Sequence, residues 1–172
     1  MKAITPIIVT AALAAVVFTS TYPNPTITVR DSGNNGELVT TIPVNKTGTA
    51  RDVVYSIPVG DLGPGDTLLI QAEYEATNNL GYNVMLGSYV TLADSPTATS
   101  GRDITEANTF NVTPDMHHGV PVKVGSLAVT EPLTDQYVNL ISYSAAYLAA
   151  PGATLRIEQD YGHLVVTVIS NG

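Results

Sequence analysis

A two-residue alternation of apolar and polar side chains runs through residues 66–92, and it constrains the fold more than any other feature of the sequence. In the first part of this stretch, Leu68 and Ile70 alternate with Gln71 and Glu73. A period of two indicates a β-strand with one face in the core, because successive side chains point to opposite sides. The chain is therefore expected to build a sheet whose two faces differ in polarity.

The alternation pauses at residues 77–81 and then resumes up to Leu92. The pause contains Asn and Gly, which tolerate positive φ and favour turns. We predict one long antiparallel hairpin, with Glu73 and Glu75 on its outward face. A lone hairpin is marginal in water, so this one is expected to lie in a larger sheet.

Similar short runs continue along the chain, separated by turns rich in Asn, Gly and Pro, and no helix is indicated after Tyr22. The last runs, residues 155–158 and Leu164–Ile169, are separated by a predicted turn at Tyr161 and Gly162. The β-branched run Leu164–Ile169 is expected to be a central strand buried on both faces. Nine or ten strands at this spacing predict an all-β fold, an antiparallel β-sandwich that is jelly-roll-like.

The first 22 residues differ from the rest of the chain. An apolar run, Ile7–Phe18, follows Lys2. This pattern is typical of a signal peptide; the alternatives are a retained anchor or assembly arm and a buried strand or helix of the fold itself. Pro23 and Pro25 then restrict the backbone to extended geometry. We therefore divide the chain into a hydrophobic N-terminal segment, residues 1–22, and a β-sandwich domain, residues 23–172.

The composition excludes some classes of function. The net charge of -8 disfavours binding to nucleic-acid phosphates. Cysteine is absent, so neither disulfides nor thiolate chemistry is available. Charged residues make up 13% of the chain, against about 25% in typical soluble domains. So low a charge suggests a surface that is neutral or covered by neighbouring copies.

Two kinds of metal site can be considered, and both are weak. Asp115, His117 and His118 could supply part of a transition-metal site, but adjacent histidines in a strand point opposite ways. The loop Asp31–Glu37 lacks the ligand spacing of a calcium loop. A calcium site built from several loops stays open, and its candidate ligands are Asp61, Asp66, Asp94 and Asp103. We expect no cofactor.

Catalytic patterns are also weak. The sequence contains no GxSxG motif. Glu73 and Glu75 share one face of a strand at about 7 Å, a separation that would suit a glycosidase pair. Glutamates on the outside of a sheet show the same spacing. We therefore predict that the protein is not an enzyme.

Two surfaces are candidates for contacts with partners. Tyr137, Tyr143 and Tyr147 fall on one face of a strand in a two-residue period. The polar loop 93–108 carries Asp94, Arg102 and Asp103, and long loops of this kind are often functional or mobile.

The first hypothesis for function is a structural or attachment protein, displayed outside a cell or on a virus particle and forming a homo-oligomer, a trimer or larger. The alternative is a secreted carbohydrate-binding, lectin-like module that uses the tyrosine face or loop 93–108. The absence of Trp weakens that alternative. A membrane would be contacted only through residues 1–22, if these are retained.

Overall fold

The computed structural model describes residues 25–31, 40–115 and 117–170, and every regular element in these ranges is a strand. The ten strands are β1 (Thr26–Asp31), β2 (Thr40–Asn45), β3 (Arg51–Leu62), β4 (Thr67–Thr77), β5 (Val84–Ala93), β6 (Arg102–Asp103), β7 (Asn108–Val112), β8 (His117–Ala128), β9 (Leu133–Ala145) and β10 (Thr154–Ser170). The all-β prediction and the predicted number of strands are confirmed.

The strands form two facing sheets. Sheet A contains β10, β4 and β8 side by side, with β1 and the first part of β2 on the other edge of β10. Sheet B contains β3, β9 and β5, with β6 and β7 on the far edge of β5. Strand β2 belongs to both sheets, because Thr40–Pro43 pairs with β10 and Val44–Asn45 pairs with β9.

The order of the strands is that of a jelly roll. The order in sheet A is β2–β10–β4–β8, and the order in sheet B is β3–β9–β5–β7. Apart from β6 and β7, which stay beside β5, successive strands from β2 onward lie in alternate sheets. The chain therefore winds around one core, which is how antiparallel double sheets of this type are built.

The core lies between the inner faces of the sheets and consists mainly of apolar side chains. Its largest fully buried side chains include Tyr74 and Leu68 from sheet A, and Leu86 and Leu140 from sheet B. In β4 the predicted alternation holds, with Leu68, Ile70, Ala72, Tyr74 and Ala76 all buried. Each buried Leu or Ile contributes about 1.5–3 kcal/mol relative to an exposed one.

The predicted hairpin is wrong, although its two strands are present. Strand β4 pairs with β10 and β8, whereas β5 pairs with β9, β6 and β7. The connection between them crosses from sheet A to sheet B and is organised by the buried Asn78. Its Nδ2 donates to the carbonyls of Tyr82 (2.9 Å) and Val112 (2.8 Å), and its Oδ1 accepts from the backbone of Leu80 (3.0 Å). These bonds stabilise a connection that crosses between the two sheets, where the sequence predicts a tight turn.

The end of the chain differs from the prediction in two ways. Strand β10 is continuous, and a shift of register between Glu158 and His163 replaces the predicted turn. In the run predicted to be buried on both faces, Val166 and Val168 are buried while Val165 is only half-buried. Among the described residues no second layer covers the outer face of sheet A, so β10 is buried on one face.

Two predictions fall outside the described residues. They concern the hydrophobic segment 1–22 and the loop Asp31–Glu37, of which only Asp31 is described. Within the described ranges, no helix has the length and apolar character needed to cross a membrane.

Candidate functional site

A polar loop, residues 94–107, lies across the outer face of sheet B. The buried Asn139 of β9 fixes its first part, because Nδ2 donates to the carbonyls of Ser95 (2.9 Å) and Ala98 (3.0 Å). Ser56 of β3 completes the arrangement by donating to Asn139 Oδ1 at 2.7 Å. This part of the loop is therefore anchored to β9, and Ser56 of β3 orients the side chain that anchors it.

The second part of the loop is bound to β5. The backbone of Ile104 donates to the carbonyl of Val90 (2.8 Å), and the Val90 amide donates to Thr105 Oγ1 (2.9 Å). A Cβ on Gly101 would lie 2.2 Å from the carbonyl oxygen of Leu92, so only glycine permits this close approach. The loop was expected to be an open surface feature, and the structure shows it instead as a layer packed on sheet B.

The ring of Tyr143 lies directly over Gly87. A Cβ at Gly87 would be 2.2 Å from Tyr143 Cζ, a distance that no side chain could accept. Tyr143 is opposite Arg51 on one side and Gly87 on the other. The missing side chain of Gly87 therefore lets the tyrosine ring lie across β5.

Arg51 packs against two tyrosine rings. Its guanidinium carbon is 5.5 Å from the centroid of the Tyr89 ring and 5.8 Å from that of Tyr143. Its Nη1 donates to Tyr89 Oη at 2.8 Å, and Tyr89 Oη donates to the carbonyl of Thr99 at 2.9 Å. Each cation–π contact contributes about 0.5–1 kcal/mol at an exposed site. The three side chains thus form one connected cluster.

An open cleft of about 370 Å³ lies between this cluster and the loop. We call it the Arg51 cleft; its lining residues are Arg51, Tyr89, Ser100, Gly101, Asp103, Thr105, Ala107 and Tyr143. It offers a cationic guanidinium, the carboxylate Asp103, hydroxyl groups and aromatic surface. Such a mixture can hydrogen-bond and stack against a small polar ligand.

The structure brings together some of the predicted contact residues. Tyr143 and Asp103 meet at the Arg51 cleft, which joins the tyrosine face to the loop. Asp94 and Arg102 are exposed on the loop away from the cleft lining. Tyr147 lies beyond the end of β9 and is 87% exposed, so a single face carrying all three tyrosines is wrong.

Tyr137 is opposite Pro58 and Ala93, at the other end of β9 from Tyr143. Sequence reasoning missed Arg51, Tyr89, Gly87 and Asn139 as parts of this site. Two of them carried a signal: a glycine inside a strand often marks close approach of another group, and an asparagine inside an apolar strand is unusual.

The predicted metal ligands are not gathered into a site by the described part of the chain. Asp115 lies in the turn before β8 with φ 55°, and His117 and His118 are the first residues of that strand. Asp66 Oδ2 accepts from the backbone of Gly63 and closes its own turn, and Asp61 Oδ1 accepts from the backbone of Asp135 and joins β3 to β9. Within the described ranges, no three His, Cys, Asp or Glu side chains converge.

A buried lysine joins the loop to sheet A. Lys123 of β8 is buried, and its Nζ donates to the carbonyl of Glu106 at 3.0 Å. Burial lowers the pKa of Lys123, because removal from water disfavours the charged ammonium. The loop is therefore bound to sheet B near one end and to sheet A near the other.

The fold is a jelly-roll sandwich, and two solved virus structures have a similar fold. A solved structure of infectious bursal disease virus, Gx strain, has a TM-score of 0.51 over 97% of this chain and 38% of that chain, at 12% identity. A mutant VP2 protein of infectious bursal disease virus in derived T=1 particles has a TM-score of 0.50, with coverages of 95% and 40%, at 11% identity.

This chain therefore spans only 38% and 40% of the length of those two chains. At such low identity the likeness shows the fold alone. No protein-family model and no curated protein sequence matches the chain.

Proposed function

We propose that this chain is a non-enzymatic structural protein of a virus particle and that its copies assemble through the surfaces of the sandwich. The observation that carries the proposal is the fold likeness, over 97% of the chain, to a structure of infectious bursal disease virus. A second similar structure is that of the VP2 protein of this virus in T=1 particles. A virion location follows from the same proposal.

The surface of the sandwich supports assembly. Among the described residues, β3 pairs only with β9 and β8 pairs only with β4, so two long strands each keep an unpaired edge. Unpaired edges are sites where a second chain can add hydrogen bonds. At the tip after β9, Tyr147 is 87% and Leu148 65% exposed. Tyrosine is among the side chains that contribute most to binding at the centre of protein interfaces.

The carboxylates support a non-enzymatic role. Glu73 and Glu75 lie on the outer face of sheet A and do not line the Arg51 cleft. The cleft is lined by one carboxylate, Asp103, whereas glycoside hydrolysis typically uses two that face each other.

The test is the size of the assembly formed by the full chain. Multi-angle light scattering after size exclusion should give a mass of several copies, a trimer or larger, and negative-stain electron microscopy should show closed particles or rings. A single species of 18.0 kDa at high protein concentration would contradict the proposal.

A second candidate function is the binding of a carbohydrate in the Arg51 cleft. The structural neighbours lend it no support, and what favours it is the meeting of Tyr143 with loop residues at one cleft. A glycan array should then give hits that Tyr143→Ala abolishes and Tyr137→Ala retains. An array without hits would exclude this function.

A further inference from the structure

One half of the outer face of sheet A is apolar and open. Val124 is 75% exposed, Val29 63%, Ile27 62% and Leu69 42%. These side chains are contiguous across the sheet. Val29 is opposite Thr167, and Thr167 is opposite Leu69. Leu69 is in turn opposite Ser126, which is two residues from Val124. Exposed apolar surface that is contiguous in this way usually marks a binding surface.

One charged residue borders this half of the face, since Asp31 at the end of β1 is opposite Val165. The other outward positions of the described strands are uncharged: Ile27, Val29, Val165, Thr167, Ile169, Thr67, Leu69, Gln71, Val124, Ser126 and Ala128. A shallow cavity of about 180 Å³ lies among Leu69, Gln71, Val124, Val165 and Thr167. The face therefore offers both an apolar surface and a depression that side chains could fill. We call it the apolar face.

The chain itself carries a segment that could cover this face. Strand β1 forms one edge of the apolar face, and residues 1–24 come immediately before it in the sequence, with the apolar run Ile7–Phe18 among them. Seven residues separate Phe18 from Thr26, and seven extended residues reach about 23 Å. The four strands of the face span about 14 Å. The connector is long enough to place the run over the face.

The charges favour the same placement and give it a direction. Thr26 is opposite Ser170 at one end of sheet A, whereas Glu73 and Glu75 lie on the same outer face about 20 Å further along β4. Lys2 is the only charged side chain among residues 1–24. A run that starts near Thr26 and passes back over the apolar face would bring Lys2 towards the two glutamates.

We propose that the segment Ile7–Phe18 of the same chain packs on the apolar face, over Leu69 and Val124, with Lys2 directed towards Glu73 and Glu75. This role differs from that of a cleaved signal peptide, because the segment is kept and completes the sandwich as an additional layer. The proposal does not depend on assembly, since the cover forms within each copy.

The absence of cysteine makes a disulfide test direct. Ala12→Cys is combined with Val124→Cys in the full chain, and Val9→Cys and Ala15→Cys replace Ala12→Cys in parallel experiments. We expect at least one pair to form a disulfide within the chain, seen as a faster monomer band on a non-reducing gel and as one cross-linked peptide in mass spectrometry. In the matched control, Ala150→Cys replaces Val124→Cys. Ala150 is exposed and lies beyond the opposite end of β10, so this pair should give no such bond.

Three results would overturn the proposal: no intrachain disulfide with any of the pairs, disulfides between chains alone, or a native chain whose mass shows that residues 1–20 have been removed. Assembled particles without the intrachain disulfide would overturn it while leaving the proposed assembly intact.

A second measurement does not require a disulfide to form. Leu69→Lys together with Val124→Lys should release the segment and accelerate cleavage by chymotrypsin at Phe18 by about tenfold, because proteolysis follows the population of the open form. Met85→Lys, at a similarly exposed position on sheet B, should leave the cleavage rate unchanged. Equal cleavage rates in both variants would contradict the proposal.

Discussion

The hydroxyl of Tyr74 in sheet A hydrogen-bonds the hydroxyl of Ser142 in sheet B, across the middle of the core. Both residues are buried, so neither hydroxyl can exchange this partner for water. The bond also fixes how the two sheets are aligned, since Tyr74 must reach across the whole core to make it. A mispaired hydroxyl at this depth is costly, and the contact therefore favours one alignment of the sheets.

Replacing Tyr74 with Phe should lower the free energy of unfolding by about 1–3 kcal/mol at pH 7, because Ser142 is left without its partner in the core. Burial raises the pKa of Tyr74 to about 12 from 10.0. The stability gained by keeping the buried Tyr74 hydroxyl protonated is thus fully present below pH 10, and it is lost as the pH rises through 12. The loss amounts to about 2–3 kcal/mol.

Urea unfolding at pH 8, 10 and 11.5 checks this prediction. The stability of the native chain should fall with pH more steeply than that of Tyr74→Phe, so the difference between them should shrink. Tyr137→Phe, at a half-exposed site, serves as the control. Parallel pH profiles for the native chain and Tyr74→Phe would show that Tyr74 is not shielded from water.

Replacing Gly87 with Ala should displace the ring of Tyr143, because the new Cβ would lie 2.2 Å from Tyr143 Cζ. Overpacking of this kind costs about 1–3 kcal/mol. The contact between Arg51 and the Tyr143 ring should be lost as well. Thermal unfolding and the NMR shifts of the Tyr143 ring protons measure the two effects.

Gly119→Ala is a suitable control for this substitution, since a Cβ there would meet no atom within 4 Å and the backbone φ is not in the left-handed region. A Gly87→Ala variant as stable as Gly119→Ala, with unchanged Tyr143 shifts, would mean that the ring does not lie over β5.

Replacing Asn139 with Ala should release the first part of the loop from sheet B. The half-buried carbonyls of Ser95 and Ala98 would lose their donor, at a cost of about 1 kcal/mol for each hydrogen bond. Local opening should expose the chain to trypsin at Arg102. Cleavage there should be faster than in Thr134→Ala, a change at an exposed position of the same strand. Unchanged cleavage would show that other bonds suffice to hold the loop.

The positions of the strands could be predicted from the sequence, because the alternation of apolar and polar residues is a local property. The pairing could not. Asn78 directs β4 and β5 into different sheets through hydrogen bonds to Tyr82 and to the distant Val112. A short Asn- and Gly-containing segment suits a hairpin turn and a crossing connection equally well, and only long-range contacts distinguish them.

In the candidate site, too, the individual parts could be predicted from the sequence but their proximity could not. The tyrosine face and loop 93–108 were predicted as separate surfaces, and each contributes to the Arg51 cleft. What joins them is Arg51, a lone arginine at the start of a strand, which carries no pattern in the sequence. Its partners Tyr89 and Tyr143 come from two other strands, and their proximity depends on the order of strands in sheet B.

Replacing Lys123 with Met should raise the free energy of unfolding at pH 7. Burial lowers the pKa of Lys123, so the folded state binds its proton less tightly than the unfolded chain does. Below the lowered pKa the buried charge therefore costs stability, and the cost disappears as the pH rises towards the ordinary value of 10.5. Methionine fills a similar volume without the charge.

Chemical unfolding of Lys123→Met and of the native chain at pH 7 and pH 10.5 gives the comparison. The gain should be present at pH 7 and smaller at pH 10.5. Lys123→Ala is the control for packing and should be destabilised by the cavity it leaves. A Lys123→Met variant less stable than the native chain at pH 7 would show that the bond to the Glu106 carbonyl outweighs the cost of burial.

Replacing both Tyr147 and Leu148 with Ser should weaken assembly without unfolding the chain. Both side chains are largely exposed at the tip after β9, so their removal takes little from the core. If the tip lies at the centre of an interface, the loss of the Tyr147 ring alone costs about 2 kcal/mol or more of association free energy. Light scattering over a dilution series should show dissociation at higher concentration than for the native chain, while the thermal midpoint of the monomer stays the same.

Glu131→Ser with Thr134→Ser changes two exposed residues elsewhere and should assemble normally. Equal assembly of the two double variants would place the contacts between copies away from this tip.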